Sequence, residues 1–66
     1  MTVKEAIQQA TETLARAEIV GARTDAELIV AHIVQQDRAW LLAHEDDSLT
    51  QEQIRLTTSC VQKRAE

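Results

Sequence analysis

The stretch TDAELIVAHIVQQDRAWLLAH, from Thr24 to His44, decides how this chain folds. Its first half is dense in apolar residues, which occupy seven of the nine positions from Ala26 to Val34. A surface helix with a single buried stripe does not carry apolar residues at this density. The stretch therefore predicts a helix that lies in the middle of the molecule and packs against several neighbours.

The start of this central helix has its own sequence signal. Thr24 is positioned to cap the first turn, and Glu27 follows it at the spacing of a capping box. Asp25 and Glu27 also place negative charge at the positive end of the helix dipole. The pattern predicts a helix from Asp25 to about Val34.

A helix is also predicted before the central stretch. Thr2 and Glu5 have capping-box spacing, and the apolar residues that follow them recur every three or four positions. Gly21 takes a positive φ at little cost, so this helix is expected to stop near Glu18. The apolar stripe consists of Val3, Ala6, Ile7, Ala10, Leu14 and Ala17.

Two shorter signals complete the secondary structure. Asp37 can cap a helix that runs from Arg38 to about His44. Thr50 and Gln53 form a further capping-box pattern, which predicts a last helix beginning at Gln51. The stripe of that helix is weak, and consists of Ile54, Thr58 and Val61 with Leu56 and Cys60 beside them.

The composition agrees with these helices. The 66 residues are 44% apolar and include no Pro, one Gly and one aromatic residue, which favours helix over sheet. The sequence predicts an all-α fold, a small antiparallel bundle of four or five short helices that forms one domain over residues 1–66. A core of this size without disulfides or metal supports a stability of about 3 to 5 kcal/mol or less.

Charge and hydropathy exclude several classes of function. A net charge of −4 weighs against a direct contact with nucleic acid, because phosphate binding requires clustered Lys and Arg. The longest apolar run is far shorter than the ~20 residues that span a bilayer, so no membrane contact is expected. A lone Cys60 cannot form an internal disulfide, and the cytoplasm is the expected compartment.

Few residues could carry chemistry, and no catalytic or metal-binding residue is predicted. His32 is expected to border the core with one ring nitrogen bonded, and Cys60 to be a small core residue. Trp40 is expected in the core, with a role as a partner anchor as the alternative. His44 with the acidic residues 45–47 is interpreted as a solvated loop, and weak cation binding is the alternative.

The central stretch also resembles a known protein family. The residues that carry the resemblance are RxDAELIxAHIV, from Arg23 to Val34, and DRAWLLAH, from Asp37 to His44. They are similar to the N-terminal helical domain of the HemK/PrmC family, the protein-glutamine methyltransferases that act on peptide chain release factors. The resemblance covers nearly the whole chain. One departure is Gln35, where the family usually carries Gly.

The resemblance implies a function that this chain serves only in part. The parent protein would methylate the glutamine of the Gly-Gly-Gln loop of a release factor, with S-adenosylmethionine bound in a Rossmann-like catalytic domain. The Asn-Pro-Pro-Tyr signature of that domain cannot occur in a chain with no Pro and no Tyr. The 66 residues by themselves are therefore expected neither to be an enzyme nor to bind a cofactor. The resemblance implies two partners, the release factor and the catalytic domain.

The docking residues cannot be assigned by motif, so exposure alone selects the candidates. They are the charged side chains of the second and third helices and of the following loop, namely Arg23, Asp37, Arg38, Glu45, Asp46 and Asp47. One alternative is a structural cap that packs against the catalytic domain without contacting substrate. A second is a helix-turn-helix DNA binder, which the acidic balance opposes.

Overall fold

The computed structural model describes all 66 residues and contains four α-helices. In chain order these are α1 (Val3–Arg16), α2 (Ala22–Val34), α3 (Arg38–Ala43) and α4 (Gln51–Ala65). Helix α2 packs against each of the other three helices, and α1 also packs against α4. The predicted all-α bundle is confirmed, with four helices and with the apolar α2 in its middle.

One cluster of buried apolar side chains forms the core. Helix α1 contributes five of them, at the positions where the sequence predicts its stripe, although Ala17 is exposed. Helix α2 contributes three, and Leu28 points outward despite the dense apolar run around it. The full cluster is Val3, Ala6, Ile7, Ala10, Leu14, Ala26, Val30, Ala31, Leu41, Leu49 and Val61.

Helix α1 ends two residues earlier than predicted, and not by means of Gly21. Glu18 takes the left-handed conformation, with φ of 63°. The Ile19 N–H donates to the Leu14 carbonyl at 3.1 Å, and the Glu18 N–H donates to the Ala15 carbonyl at 2.9 Å. These two bonds form a Schellman motif, so the backbone here gains enough to hold a glutamate at positive φ.

Gly21 is instead the N-cap of α2, the residue directly before its first helical position. It takes φ of 73° and its carbonyl accepts the N–H of Asp25 at 3.0 Å, which allows the helix to start at Ala22. The predicted capping box of Thr24 and Glu27 is wrong, because Thr24 lies inside the first turn and no side chain caps this helix. Glu27 bonds two arginines instead, as described below.

Helix α2 ends at Val34, and Gln35 follows it in a second Schellman motif. The Gln36 N–H donates to the Ala31 carbonyl at 3.0 Å and the Gln35 N–H donates to the His32 carbonyl at 3.2 Å. Gln35 takes φ of 60° and ψ of 42°, the left-handed region that favours glycine. The position at which the resemblance expects Gly therefore keeps its left-handed turn with Gln.

Replacing Gln35 by Gly should stabilise the domain. The free energy gained when the strained left-handed side chain is removed exceeds the free energy lost to the greater entropy of the unfolded chain. The free energy of unfolding should therefore rise by about 0.5 to 1 kcal/mol. Urea denaturation followed by circular dichroism measures this change. The matched control is Gln36→Gly, which should destabilise because Gln36 does not have a positive φ. Destabilisation by both variants would contradict the strain at Gln35.

The start signals of the last two helices are confirmed. The Asp37 carboxylate accepts the Trp40 N–H at 2.8 Å. Thr50 and Gln53 form a complete capping box, in which each side chain accepts the other residue's backbone N–H. The stripe of α4 is shifted from the prediction, since Thr57 rather than Thr58 is buried beside Val61.

The loop from α3 to α4 is fixed to the start of α1. The Val3 N–H donates to the Asp47 carbonyl at 2.9 Å, and the Lys4 N–H donates to the Glu45 carbonyl at 3.0 Å. The Leu49 N–H in turn donates to the Met1 carbonyl at 2.9 Å. The N–H groups of the first helical turn have no acceptor within the helix, and carbonyl groups of this loop act as their acceptors. The interpretation as a solvated loop therefore holds for the exposed side chains of Asp46 and Asp47 and not for the backbone.

The structure also bears on membrane contact. No helix in it combines the length and the hydropathy that are needed to cross a lipid bilayer.

Candidate functional site

Two of the predicted docking residues, Arg23 and Arg38, both contact the carboxylate of Glu27, which was not among the predicted docking residues. Arg23 Nε lies 3.3 Å from one carboxylate oxygen of Glu27, and Arg38 Nη2 lies 2.8 Å from the other. The Glu27 side chain is only 14% exposed, whereas both arginine side chains are more than half exposed. Glu27 therefore holds two guanidinium groups at the surface and joins α2 to α3.

The charge of Glu27 is stabilised by this arrangement. Its partial burial alone would raise the pKa of the carboxyl group. The hydrogen bonds from Arg38 and Arg23, with the charges of both groups, outweigh burial and hold the pKa of Glu27 below its ordinary value of 4.5. Because folding lowers this pKa, the ion pairs stabilise the fold fully at pH values above the ordinary pKa of 4.5. This stabilisation is lost as the pH falls through the lowered pKa.

Substitution of Glu27 by Gln tests this pH dependence. The variant should lose about 1 kcal/mol of unfolding free energy at pH 7, because two charged hydrogen bonds lose their acceptor charge. The difference from the parent should approach zero once the pH lies well below the lowered pKa of Glu27, where this carboxyl group is protonated in the folded and the unfolded chain. Urea denaturation at several pH values measures it. The control is Glu12→Gln, an exposed carboxylate with no ion pair. An equal loss at all pH values would exclude the ion pairs as the cause.

The other predicted residues have structural contacts as well. Asp37 caps α3 through its carboxylate, as described above. Glu45 and Asp47 bond the start of α1 through their carbonyl oxygens, which leaves the exposed side chains of Asp46 and Asp47 free. No hydrogen bond or ion pair connects this acidic loop to Arg23 or Arg38. The structure thus separates the candidates into an arginine pair and an acidic loop, and their role in docking remains a prediction.

The aromatic residue of the chain lies next to this surface. The Trp40 ring is half-buried against the core and stacks on His44, with ring centroids 4.1 Å apart and an interplanar angle of 12°. His44 Nδ1 lies 2.9 Å from the Trp40 carbonyl oxygen. His44 is therefore a packing partner of Trp40. Nowhere in the chain do three His, Cys, Asp or Glu side chains gather closely enough to hold a metal ion.

Two other residues singled out from the sequence lie elsewhere than expected. His32 is exposed and makes no hydrogen bond within the chain, so the prediction that it borders the core is wrong. Cys60 is half-buried and lies outside the core cluster, not within it as predicted. The His32 side chain therefore faces solvent, whereas Cys60 is partly covered by its neighbours.

Exposed leucines were missed by sequence reasoning. Leu28 is 52% exposed on α2 and Leu42 is 65% exposed on α3. Leu42 lies one turn after Arg38, so the two side chains project from the same face of α3. Partly exposed apolar side chains beside arginines are typical of surfaces that bind proteins. The dense apolar run from Ala26 to Val34 predicted burial for Leu28, and only their exposure in the folded chain identifies the two leucines.

A further ion pair connects the end of α4 to the start of α2. Arg64 Nη2, in the last turn of α4, lies 3.0 Å from Asp25 Oδ2 in the first turn of α2. The two groups are close enough to attract each other but are not aligned as a hydrogen bond. The pair reinforces the packing of α4 against α2 and involves none of the predicted docking residues.

Comparison with known proteins gives one match. Residues 5–66 match the family described as the PrmC N-terminal domain. No curated protein and no solved structure matches the chain. The family match covers nearly all of the four-helix bundle, so this chain belongs to the HemK/PrmC family of methyltransferases and corresponds to its N-terminal domain.

Proposed function

We propose that this domain docks a peptide chain release factor for a methyltransferase that modifies the glutamine of its Gly-Gly-Gln loop. The observation that carries the proposal is the family match over residues 5–66. A short loop offers little surface for recognition by a catalytic site. A second contact on a tethered domain raises the effective concentration of that loop and makes recognition specific.

The surface of α2 and α3 supports docking at this place. Glu27 holds the Arg23 and Arg38 guanidinium groups in position before any partner arrives. A side chain that is already ordered loses less entropy on binding, which increases affinity. Arginines are also frequent hot spots of protein interfaces. Leu28 and Leu42 add exposed apolar area, and the acidic side chains of residues 45–47 are further candidates.

The methyl donor would bind outside these 66 residues. We propose that S-adenosylmethionine is held by the catalytic domain, to which this domain is joined in the parent enzyme. A nucleotide-type cofactor is typically bound at a glycine-rich turn that follows a strand, and this bundle contains only helices. Release factors act in translation, so the cytoplasm is the proposed compartment.

Amide NMR titrations of the 66-residue chain test the docking proposal. Addition of a release factor should shift amide signals of α2 and α3 around Arg38, whereas S-adenosylmethionine should shift none. Arg38→Ala should weaken binding about tenfold, the size of effect expected for an interface arginine. The matched control is Arg55→Ala on α4, since Arg55 is likewise more than half exposed and is paired to a glutamate, Glu52. The control should bind as the parent does.

The rival function is a structural cap that packs on the catalytic domain and binds no substrate. The weak apolar stripe of α4 and its exposed Leu56 favour it, because they leave apolar surface to be covered. Combined substitution of Arg38 and Asp47 in the full-length enzyme distinguishes the two functions. A cap predicts unchanged affinity for the release factor, and docking predicts a loss of affinity at unchanged stability of the catalytic domain. Absence of any shift with the release factor would also favour the cap.

A further inference from the structure

A groove runs between α1 and α4, on elements that the proposed docking surface does not include. Its volume is about 150 Å³, and it is open to solvent on one side. A cavity of about this volume holds a molecule the size of benzene, so the groove has room for one large apolar side chain. The lining residues are Met1, Ala6, Gln9, Ala10, Thr13, Ile54, Thr57, Thr58, Val61 and Gln62.

The groove results from small residues on α1. Larger side chains, such as Ile7 and Leu14, fill the core along the rest of this helix. Ala6 and Ala10 are buried but too short to fill the space toward α4. The floor of the groove is therefore apolar, with Ile54 and Val61 of α4 opposite the alanines.

No lining residue has an ionisable side chain, and the one charged group among these residues is the α-amino group of Met1. A charged side chain that reached the floor formed by Ala6, Ala10, Ile54 and Val61 would lose hydration and find no side chain of opposite charge there. The floor of the groove is therefore suited to an uncharged, apolar side chain.

Four uncharged polar side chains surround this floor. Gln9 and Thr13 project from α1, Thr58 and Gln62 project from α4, and all four are exposed. The two glutamine amides make no hydrogen bond within the chain, and each offers both donors and an acceptor. Peptide groups beside a buried side chain need both kinds of partner. The rim is thus suited to a peptide backbone more than to a free hydrocarbon.

One polar atom in the lining lacks a partner. Thr57 is 6% exposed and its hydroxyl makes no hydrogen bond. The hydroxyls of Thr11 and Thr13 donate to the carbonyls four residues earlier, at 2.7 and 3.1 Å, and Thr57 lacks this bond. An unsatisfied buried hydroxyl is costly, and a helical Thr has a second accessible χ1 rotamer. Thr57 lines the groove, so a change of χ1 rotamer offers its unbonded hydroxyl a partner in an occupant that carries an acceptor.

We infer that the α1–α4 groove binds an uncharged peptide segment, which inserts one leucine-sized apolar side chain and bonds the Gln9 and Gln62 amides through its backbone. This binding site is separate from the docking surface on α2 and α3. It gives the domain a second contact with a protein partner, and this inference does not depend on the docking proposal.

Blocked amino acids are the probes for this site. N-acetyl-leucine methylamide, added at millimolar concentration, should shift the amide signals of Ala6, Ala10, Thr57 and Val61, with a dissociation constant in the millimolar range. The methylamides of N-acetyl-aspartate and N-acetyl-lysine have the same backbone and should cause no shift. Shifts that are equal for all three probes, or absent for all three, would overturn the inference.

Variants at the rim complete the test. Gln62→Glu places a charge at the groove on an exposed position that tolerates it, and should weaken the leucine probe about tenfold. Gln8→Glu is the matched control, since Gln8 is exposed on α1 and does not line the groove. Loss of binding in both variants, or in neither, would contradict a site between Gln9 and Gln62.

Two further readouts identify other occupants. Groove signals that shift on dilution of the chain alone would show that a second copy fills the site, and would overturn the peptide assignment. A release factor is added with and without the leucine probe. If it shifts only amide signals of α2 and α3 in both cases, it docks at that surface alone and does not use the groove. Probe binding without release-factor binding would retain the groove and reject the proposed function.

Discussion

Replacement of Leu14 by Ala should leave most of the domain unfolded at 25 °C. The Leu14 side chain is 0% exposed and lies in the single core cluster, to which α1 contributes more residues than any other helix. Truncation of a fully buried leucine costs about 3 to 5 kcal/mol, from lost transfer free energy and the cavity that remains. A core of this size supports about the same total stability, so the balance shifts to the unfolded chain.

Circular dichroism at 222 nm measures this outcome as lost helix signal and as a melt without a cooperative transition. The matched control is Leu42→Ala, because Leu42 is mostly exposed on α3. The control should melt within about 4 °C of the parent, since exposed substitutions change stability little. A cooperative melt of the Leu14 variant near the parent temperature would show that the core does not depend on this residue.

Replacement of Trp40 by Ala should cost about 2 to 3 kcal/mol. A fully buried tryptophan would cost about 3 to 5 kcal/mol, as the sequence alone suggests for a core ring. The structure leaves this ring half-buried, with one face stacked on His44. Part of the apolar area of the ring therefore stays in contact with water in the folded chain, and the free-energy cost of removing the ring is reduced.

Urea denaturation followed by circular dichroism is the suitable measurement, because the variant lacks the only tryptophan. His44→Ala separates the stacking contribution, and it should cost about 1 kcal/mol. A Trp40 variant that loses no more stability than the His44 variant would place the ring on the surface. A cost as large as that of Leu14→Ala would place it in the core.

Where the chain's helices begin was largely predictable from local sequence. The caps of α1, α3 and α4 depend on residues three positions apart, and the structure confirms each of them. Such signals succeed because a side chain within one turn satisfies the first free amides without help from other elements. The start of α2 was mispredicted because the same local rule selected Thr24, while Gly21 provided an earlier start.

The candidate site was predictable only in part. Arg23 and Glu27 are four residues apart, so their ion pair can be read from helical spacing. The pair between Glu27 and Arg38 spans eleven residues and requires α3 to fold back on α2. No sequence pattern indicates this distance. The exposure of Leu28 and Leu42 was likewise hidden, because hydropathy does not tell which side of a crowded helix faces solvent.

The sequence by itself determined the helical class, the apolar stripe of α1, the caps of α1, α3 and α4, and the central position of α2. Each of these depends on residues within a few turns of one another, and local hydrogen bonds and periodicity decide them. Only the tertiary structure decided that Glu27 joins two arginines, that the acidic loop caps α1, and that Ala6 and Ala10 leave a groove against α4. These features arise where helices distant in sequence meet, and the space and partners found there depend on how the elements pack together.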